Sequence, residues 1–276
     1  MTKDSIDGYL AHLAREERSG ATIGKYRRDV LRFYAFLPPQ KLVTKEEAVR
    51  YKHWLEERYE PASTNSMLVA LNSYFNYMDW RDCRVKLLKC QRKLFCAKER
   101  ELTKSAYVRL VKAAKRRRDE RLSLVMQTIC ATGIRVSELE FITTEAVDQG
   151  YANVSCKGKT RVVLLPRDLC RMLKRYCAKK RISRGSVFVT RGGRPLNRSN
   201  IWREMKKLCG SAGVNPDQVF PHNLRHLFAV TYYSQEKDIV RLADIMGHSS
   251  VETTRIYTAT SNTEHERQLA RLGLVV

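Results

Sequence analysis

Residues 3–80 constrain the fold most, because they hold four short amphipathic segments, each closed by glycine or proline. SIDGYLAHLAREERSG sets Ile6, Tyr9, Leu10 and Leu13 on one helical face and runs out at Gly20. TIGKYRRDVLRFYAFLPP offers Thr22 as a cap, then Ile23, Tyr26, Val30, Phe33 and Tyr34, before Pro38 and Pro39 stop it. TKEEAVRYKHWLEERYEP opens with a capping-box pattern, Thr44 with Glu47, and stops at Pro61. STNSMLVALNSYFNYMDW supplies a fourth face with Met67, Leu68, Leu71, Tyr74, Phe75 and Met78. Short helices in succession predict a small helical domain over residues 1–82.

The rhythm then breaks. Residues 83–100 are dense in lysine and arginine and keep no clean helical period, so they are expected to form a basic linker, lying along nucleic acid or simply solvated. A second domain, 101–276, begins with Thr103 capping a helix through Tyr107, Leu110 and Val111, and KRRR at 115–118 is a charged surface stretch. YANVSC and RVVLLP predict a β-hairpin with Gly158 in its turn. Helix RDLCRMLKRYCAKK, a short strand VFVT, a turn at RGGRP and helix NRSNIWREMKKLCG follow, and the rest is mostly helical. The expected fold is therefore mainly α with a small β-sheet.

Charge narrows the partner. The 52 basic and 29 acidic residues leave a net charge of +23, an excess that repels itself unless a polyanion neutralises it. DNA or RNA is the expected partner, ahead of an anionic membrane surface. No stretch approaches the roughly 18 apolar residues that a membrane helix needs. The N-terminus lacks the apolar core of a secretory signal, so a cytoplasmic protein is expected. The eight cysteines (Cys83, Cys90, Cys96, Cys130, Cys156, Cys170, Cys177 and Cys209) contain no C-x-x-C pair. They read as small buried hydrophobes of a reducing compartment rather than as zinc ligands.

Three stretches place cations and imidazoles near turns and helix starts. In ATGIRVSELE, Gly133 ends an apolar helix and Arg135 follows; in PHNLRHLFAV, His222 and Arg225 share a helical face; GHSSVETTRIYTAT carries His248 and Tyr257. Lys157 in the hairpin turn is a fourth candidate. Singly, each has an ordinary explanation: a surface ion pair of Arg135 with Glu138, a helix start at Pro221 and His222, solvated hairpin lysines, a tyrosine at a core edge. Tyr257 resists the ordinary explanation most, because its neighbours in sequence are too polar to bury a ring. HNLRH sets His222 and His226 beside Arg225, which would repel a divalent cation, so no metal is expected.

Taken together and in this order, ATGIRVSEL, HNLRH and the spacing from Gly247-His248 to Tyr257 resemble the tyrosine recombinases, the phage integrase family. The resemblance implies a helical core-binding (SAM-like) domain, a basic linker and a mixed α/β catalytic domain of the DNA breaking-rejoining type. It implies Arg135, Lys157, His222, Arg225 and His248 as catalytic residues around the nucleophile Tyr257, with Glu138 supporting them from behind and His226 serving structure. S-C-K-G-K-T-R is similar to the family's hairpin-lysine pattern with Cys156 in place of a common glycine, and it leaves Lys157 or Lys159 as the general acid. No cofactor and no metal are implied. The implied partners are double-stranded DNA recombination sites gripped between the two domains, other protomers of a tetramer, and accessory DNA-bending proteins at the nucleoid. The terminal stretch TEHERQLARLG is expected to be a helix, packed on a neighbouring protomer or folded back. A type IB topoisomerase uses a similar residue set, but the small linked domain and the order LADIMGHSSVETTRIYT favour a recombinase. A DNA-binding protein that kept only the scaffold would not need every catalytic position filled.

The chemistry wants these residues. Attack on a DNA phosphate builds charge on its non-bridging oxygens, and without a metal that charge is met by fixed guanidinium groups. A phenol needs a base, His222 or His248, of which the resemblance favours His222, leaving His248 to donate to the phosphate. The departing 5′ oxygen needs a proton from a hairpin lysine. An aryl phosphodiester keeps the energy of the broken link, so rejoining needs no ATP. Integration, excision, inversion and resolution share this chemistry and differ in how the sites are placed.

Overall fold

A computed structural model of the chain describes residues 1–89, 101–156, 159–190, 192–248 and 250–257. It divides into two compact units, Met1–Arg92 and Lys93–Val276.

The first unit holds α1 (Lys3–Arg15), α2 (Gly20–Phe36), α3 (Lys45–Glu56) and α4 (Pro61–Tyr77). Thr2 caps α1 in a reciprocal box with Ser5, and Pro61 begins α4 with its fixed φ. Two expected caps differ. Ser19, not Thr22, caps α2, accepting from the Thr22 amide. Thr44 caps α3, but Glu47 turns its carboxylate to Arg50 instead of closing the box. The apolar faces meet in a core rich in rings, where Tyr9 and Tyr74 pack edge to face at 5.3 Å and Phe33 and Phe75 at 5.7 Å. Residues 85–88, which follow the last helical turn, are strapped to α4 by two asparagines on one face of it, Asn65 and Asn72. Asn72 exchanges hydrogen bonds with both backbone groups of Val85 (2.9 and 3.0 Å), and Asn65 with those of Leu88 (3.0 and 2.7 Å).

The second unit runs α5 (Lys104–Arg116), α6 (Glu120–Thr132), α7 (Thr144–Gln149), β1 (Tyr151–Cys156), β2 (Lys159–Leu164), α8 (Arg167–Lys180), α9 (Arg198–Ala212), α10 (Pro221–Glu236) and α11 (Ile239–Met246). Its core gathers Leu110, Val125, Ile129, Leu139, Val154, Leu173, Phe188, Met205 and Leu224. Cys170, Cys177 and Cys209 are buried with it as free thiols. The hairpin is antiparallel, with Ala152 opposite Val163 and Val154 opposite Arg161 on the face that packs inward, while Val162 and Leu164 face solvent. The expected strand VFVT does not form. Val187 and Phe188 sink into the core, and this segment makes only the isolated bridges Thr143–Ser186 and Val189–Pro195. Its backbone pairs through those single bridges with loop residues and not with β1 or β2, so no ladder propagates. The rest of the basic linker, the hairpin turn at Lys157 and Gly158, and the stretch TEHERQLARLG lie outside the described residues. Among the described residues, no helix is long and apolar enough to cross a membrane.

Candidate active site

Gly133 caps α6 in the left-handed region (φ 65°), where a Cβ would stand 2.4 Å from the Phe228 ring of α10. That turn sends Ile134 into the core and leaves Arg135 at the head of a short 3-10 turn, Val136–Phe141. Glu138, three residues on, has no exposed surface. It accepts from the Arg135 amide at 2.8 Å and from Arg135 Nη1 at 2.8 Å, and Arg135 Nη2 reaches the Gly247 carbonyl at 3.1 Å.

The other face of the Glu138 carboxylate is taken by a residue that motif reasoning passed over. Arg161 on β2 grips it with two parallel hydrogen bonds of 2.9 Å and donates from Nε to the Ile245 carbonyl at 3.3 Å. Strand alternation carried the signal: Arg161 and Val163 share one face of β2, Leu165 just beyond it is buried too, and an arginine among inward apolar residues requires a buried acid.

Arg225 lies on the inward face of α10 and is 3% exposed. Its Nη1 donates to the Gly133 carbonyl at 2.5 Å, and its Nη2 to the Met246 carbonyl at 2.7 Å and to His248 Nε2 at 3.1 Å. α11 ends at Gly247 (φ 64°), which turns the chain so that His248 faces Arg225. Arginine only donates, so His248 Nε2 accepts here and the ring proton resides on Nδ1, donated to Thr254 Oγ1 at 2.8 Å. Towards Arg225, then, His248 is an acceptor.

Tyr257 ends a 3-10 turn, Arg255–Tyr257, and is only 5% exposed. The expectation of a ring too poorly surrounded to bury fails, because its neighbours come from elsewhere in the chain. Ala229, Leu242 and Met246 form a small cluster with it, the His248 ring stacks nearly parallel at 6.2 Å, and the His226 ring lies 5.1 Å away. His226 Nε2 stands 3.4 Å from Glu101. His222, at the start of α10, remains exposed within electrostatic reach of Arg225 and Arg135.

The cations set the site's electrostatics. Burial would raise the Glu138 carboxyl, but Arg161 and Arg135 outweigh it and hold it down to about 2. Burial and the adjacent positive charge lower Arg225 to about 10, still charged at neutral pH. Burial first, then the charges of Arg225, Arg135 and Arg161, lower His248 to about 4; desolvation of the ring where it faces the site, then Arg225, His226, Arg198 and Arg135, lower His222, although the residue as a whole is open to solvent. Burial raises the Tyr257 phenol, opposed by the charge and a hydrogen bond of Arg225 and by Arg135. Both histidines are thus neutral at pH 7, able to accept a proton, and the phenol is held against the groups that would stabilise its anion. Lys159 opens β2 opposite Cys156, and Lys157 lies outside the described residues. Among the described residues, no three His, Cys, Asp or Glu side chains are placed to share a metal ion.

Comparison with known proteins gives the family and the fold. The profile of the Phage integrase family matches residues 100–264, and that of the phage integrase N-terminal SAM-like domain matches residues 6–82. The tyrosine recombinase XerC of Roseiflexus castenholzii is 30% identical, over 99% of this chain and 95% of its own. The crystal structure of XerA recombinase is 25% identical and superposes with a TM-score of 0.54 over 98% of both chains. A lambda integrase tetramer bound to a Holliday junction shares the fold, with a TM-score of 0.71 and 20% identity over 92% of this chain and 76% of that one.

Proposed function

The chain belongs to the phage integrase family and is a tyrosine-type site-specific DNA recombinase, and we propose that it cuts and rejoins strands through a 3′-phosphotyrosine formed on Tyr257. One observation carries this assignment. Arg135, Arg225 and the pair His248 and Tyr257 come from three separate stretches of sequence, yet the buried phenol has the His248 ring stacked beside it, a hydrogen bond from Arg225 and the charge of Arg135 within reach.

In this reading Arg135 and Arg225 take the non-bridging oxygens of the scissile phosphate, replacing carbonyl partners with a dianionic transition state. His222, exposed and neutral, accepts the Tyr257 proton. Once the phosphate claims Arg225 Nη2, His248 switches tautomer: Thr254 Oγ1 donates to Nδ1, and the ring proton, now on Nε2, is donated to the phosphate. Lys157, assigned from the pattern S-C-K-G-K-T-R, protonates the departing 5′ oxygen. Glu138 holds Arg135 from behind. Residues 1–82 supply a helical DNA-gripping domain, 83–100 a basic linker and 101–276 the catalytic domain. Double-stranded DNA sites are the substrate, and four protomers assemble on a pair of them, as in the lambda integrase tetramer, with accessory DNA-bending proteins where a site requires them. The work is done in the cytoplasm, at the nucleoid.

The test uses nicked duplexes tiled across the DNA that flanks the chain's own coding sequence. A covalent adduct at one defined sequence, absent from Tyr257→Phe, is the expected result. Adducts scattered over any supercoiled plasmid, with relaxation and no strand exchange, would assign a topoisomerase instead. No adduct on any duplex would leave only a binding module.

A further inference from the structure

We propose that Arg161 is a positioning residue for recombination, holding Arg135 and the His248 turn in the geometry that receives the scissile phosphate. Two anchors fix the Arg135 guanidinium, the Glu138 carboxylate and the Gly247 carbonyl. Arg161 governs both. It occupies the remaining lone pairs of Glu138 with a bidentate pair, and its Nε holds the carbonyl of Ile245, two residues before Gly247. Its aliphatic stem also packs so closely under Gly247 that a Cβ there would lie 2.6 Å from Arg161 Cδ.

Exposure divides the two arginines by task. The Arg135 side chain is 35% exposed and can present a donor edge to DNA, whereas that of Arg161 is 15% exposed with Nε, Nη1 and Nη2 all engaged behind the site. Arg161 therefore acts on the phosphate only through Arg135 and the 245–248 turn. Lysine cannot replace it, since one ammonium cannot span both carboxylate oxygens and a carbonyl.

The role rests on the recombinase chemistry proposed above. Its test compares wild type, Arg161→Lys, Arg161→Gln and Arg135→Ala on the duplex that traps the wild-type adduct. The duplex is made with either an ordinary scissile phosphate or a methylphosphonate, whose uncharged centre needs far less from a guanidinium clamp. On phosphate, the Arg161 variants should form adduct about 100-fold more slowly, the scale of a slightly misplaced catalytic group. Their DNA affinity should stay within about threefold, because no phosphate contact is removed. On methylphosphonate their deficit should shrink several-fold, in parallel with that of Arg135→Ala. If the single variants do not fold, Glu138→Gln/Arg161→Met removes both buried charges at once and carries the same expectation. An equal deficit on both substrates, or wild-type rates on phosphate, would overturn the positioning role alone. Absence of any adduct from the wild type would overturn the recombinase reading and this role with it.

Discussion

Glu138 has no exposed surface and would prefer to be neutral on that count, yet Arg161 and Arg135 keep it ionised with a pKa of about 2. A carboxylate so buried is stable only while its partners remain. Glu138→Gln strands the largely buried Arg161 guanidinium and removes an anchor of the half-exposed Arg135, so it should cost about 3 kcal/mol of stability, measured by urea unfolding at neutral pH. A loss under about 0.5 kcal/mol would mean that the arginines readily find other acceptors. His248 contributes to acid stability with the same sign but in a higher pH window. Its folded pKa of about 4 lies below the ordinary 6.5, so the folded chain binds fewer protons than the unfolded chain between those values. The stability it confers is complete above 6.5 and is lost as pH falls towards 4. Lowering the pH from about 7.5 to about 5.5 should therefore cost the wild type about 1 kcal/mol through this group, a loss absent from His248→Gln. Identical pH dependence in the two proteins, followed by urea titration, would show that His248 does not set this slope. Glu138 adds its own loss only at lower pH, from about 4.5 towards 2.

At the scale of elements, the site is made by turns that end helices. Gly247 closes α11 with a positive φ, and any side chain there would strike the Arg161 stem. Gly247→Ala should thus cost about 2 kcal/mol and slow adduct formation far more than it weakens DNA binding. Paired thermal melts and cleavage assays check this, and a variant with wild-type cleavage would show that the turn tolerates displacement. The two asparagines of α4 make a different device, a strap that converts residues 85–88 into part of the helical unit. Asn72→Leu removes two of its hydrogen bonds. Amide exchange at Val85 should accelerate about tenfold or more while the α2 and α4 amides keep their protection. The helices were legible beforehand because periodicity and caps are local properties, and the residues that the fold gathers near Tyr257 were legible as candidates because their motifs fall in order. The burial of Tyr257 was not, since Ala229, Leu242 and Met246 are supplied by α10 and α11 rather than by its own segment. Arg161 was hidden for a related reason. Its inward parity shows only once the register of β2 is known. VFVT carried strand residues, but β structure also requires a partner edge, which no four-residue stretch can announce.

For the whole molecule, the balance of charges decides how binding should behave. A net charge of +23 is an excess that folding itself has little use for, because internal ion pairs need equal numbers of both signs. In the catalytic unit the buried cations are spoken for by carbonyls and Glu138, so a far larger population of exposed lysines and arginines is left to meet the DNA backbone. KRRR at 115–118 is exposed at the end of α5, and Arg84, Lys86 and Lys89 are exposed along the strapped segment of the other unit. Contacts of this kind act by releasing condensed counterions, so they are individually weak and collectively salt-sensitive. If they neutralise about 6 to 10 phosphates, affinity should fall by about three to five orders of magnitude as salt rises from about 50 to about 200 mM. Fluorescence anisotropy on a duplex carrying the cleaved site, and on a scrambled duplex of equal length, measures both slopes. The two slopes should be nearly equal, because the basic surface tracks backbone and not sequence, while the absolute affinities differ by what base contacts and deformability add. A shallow slope on both duplexes would show that the surplus charge serves some other polyanion, and a steep slope on the cleaved site alone would place most phosphate contacts in a sequence-dependent conformation of the complex.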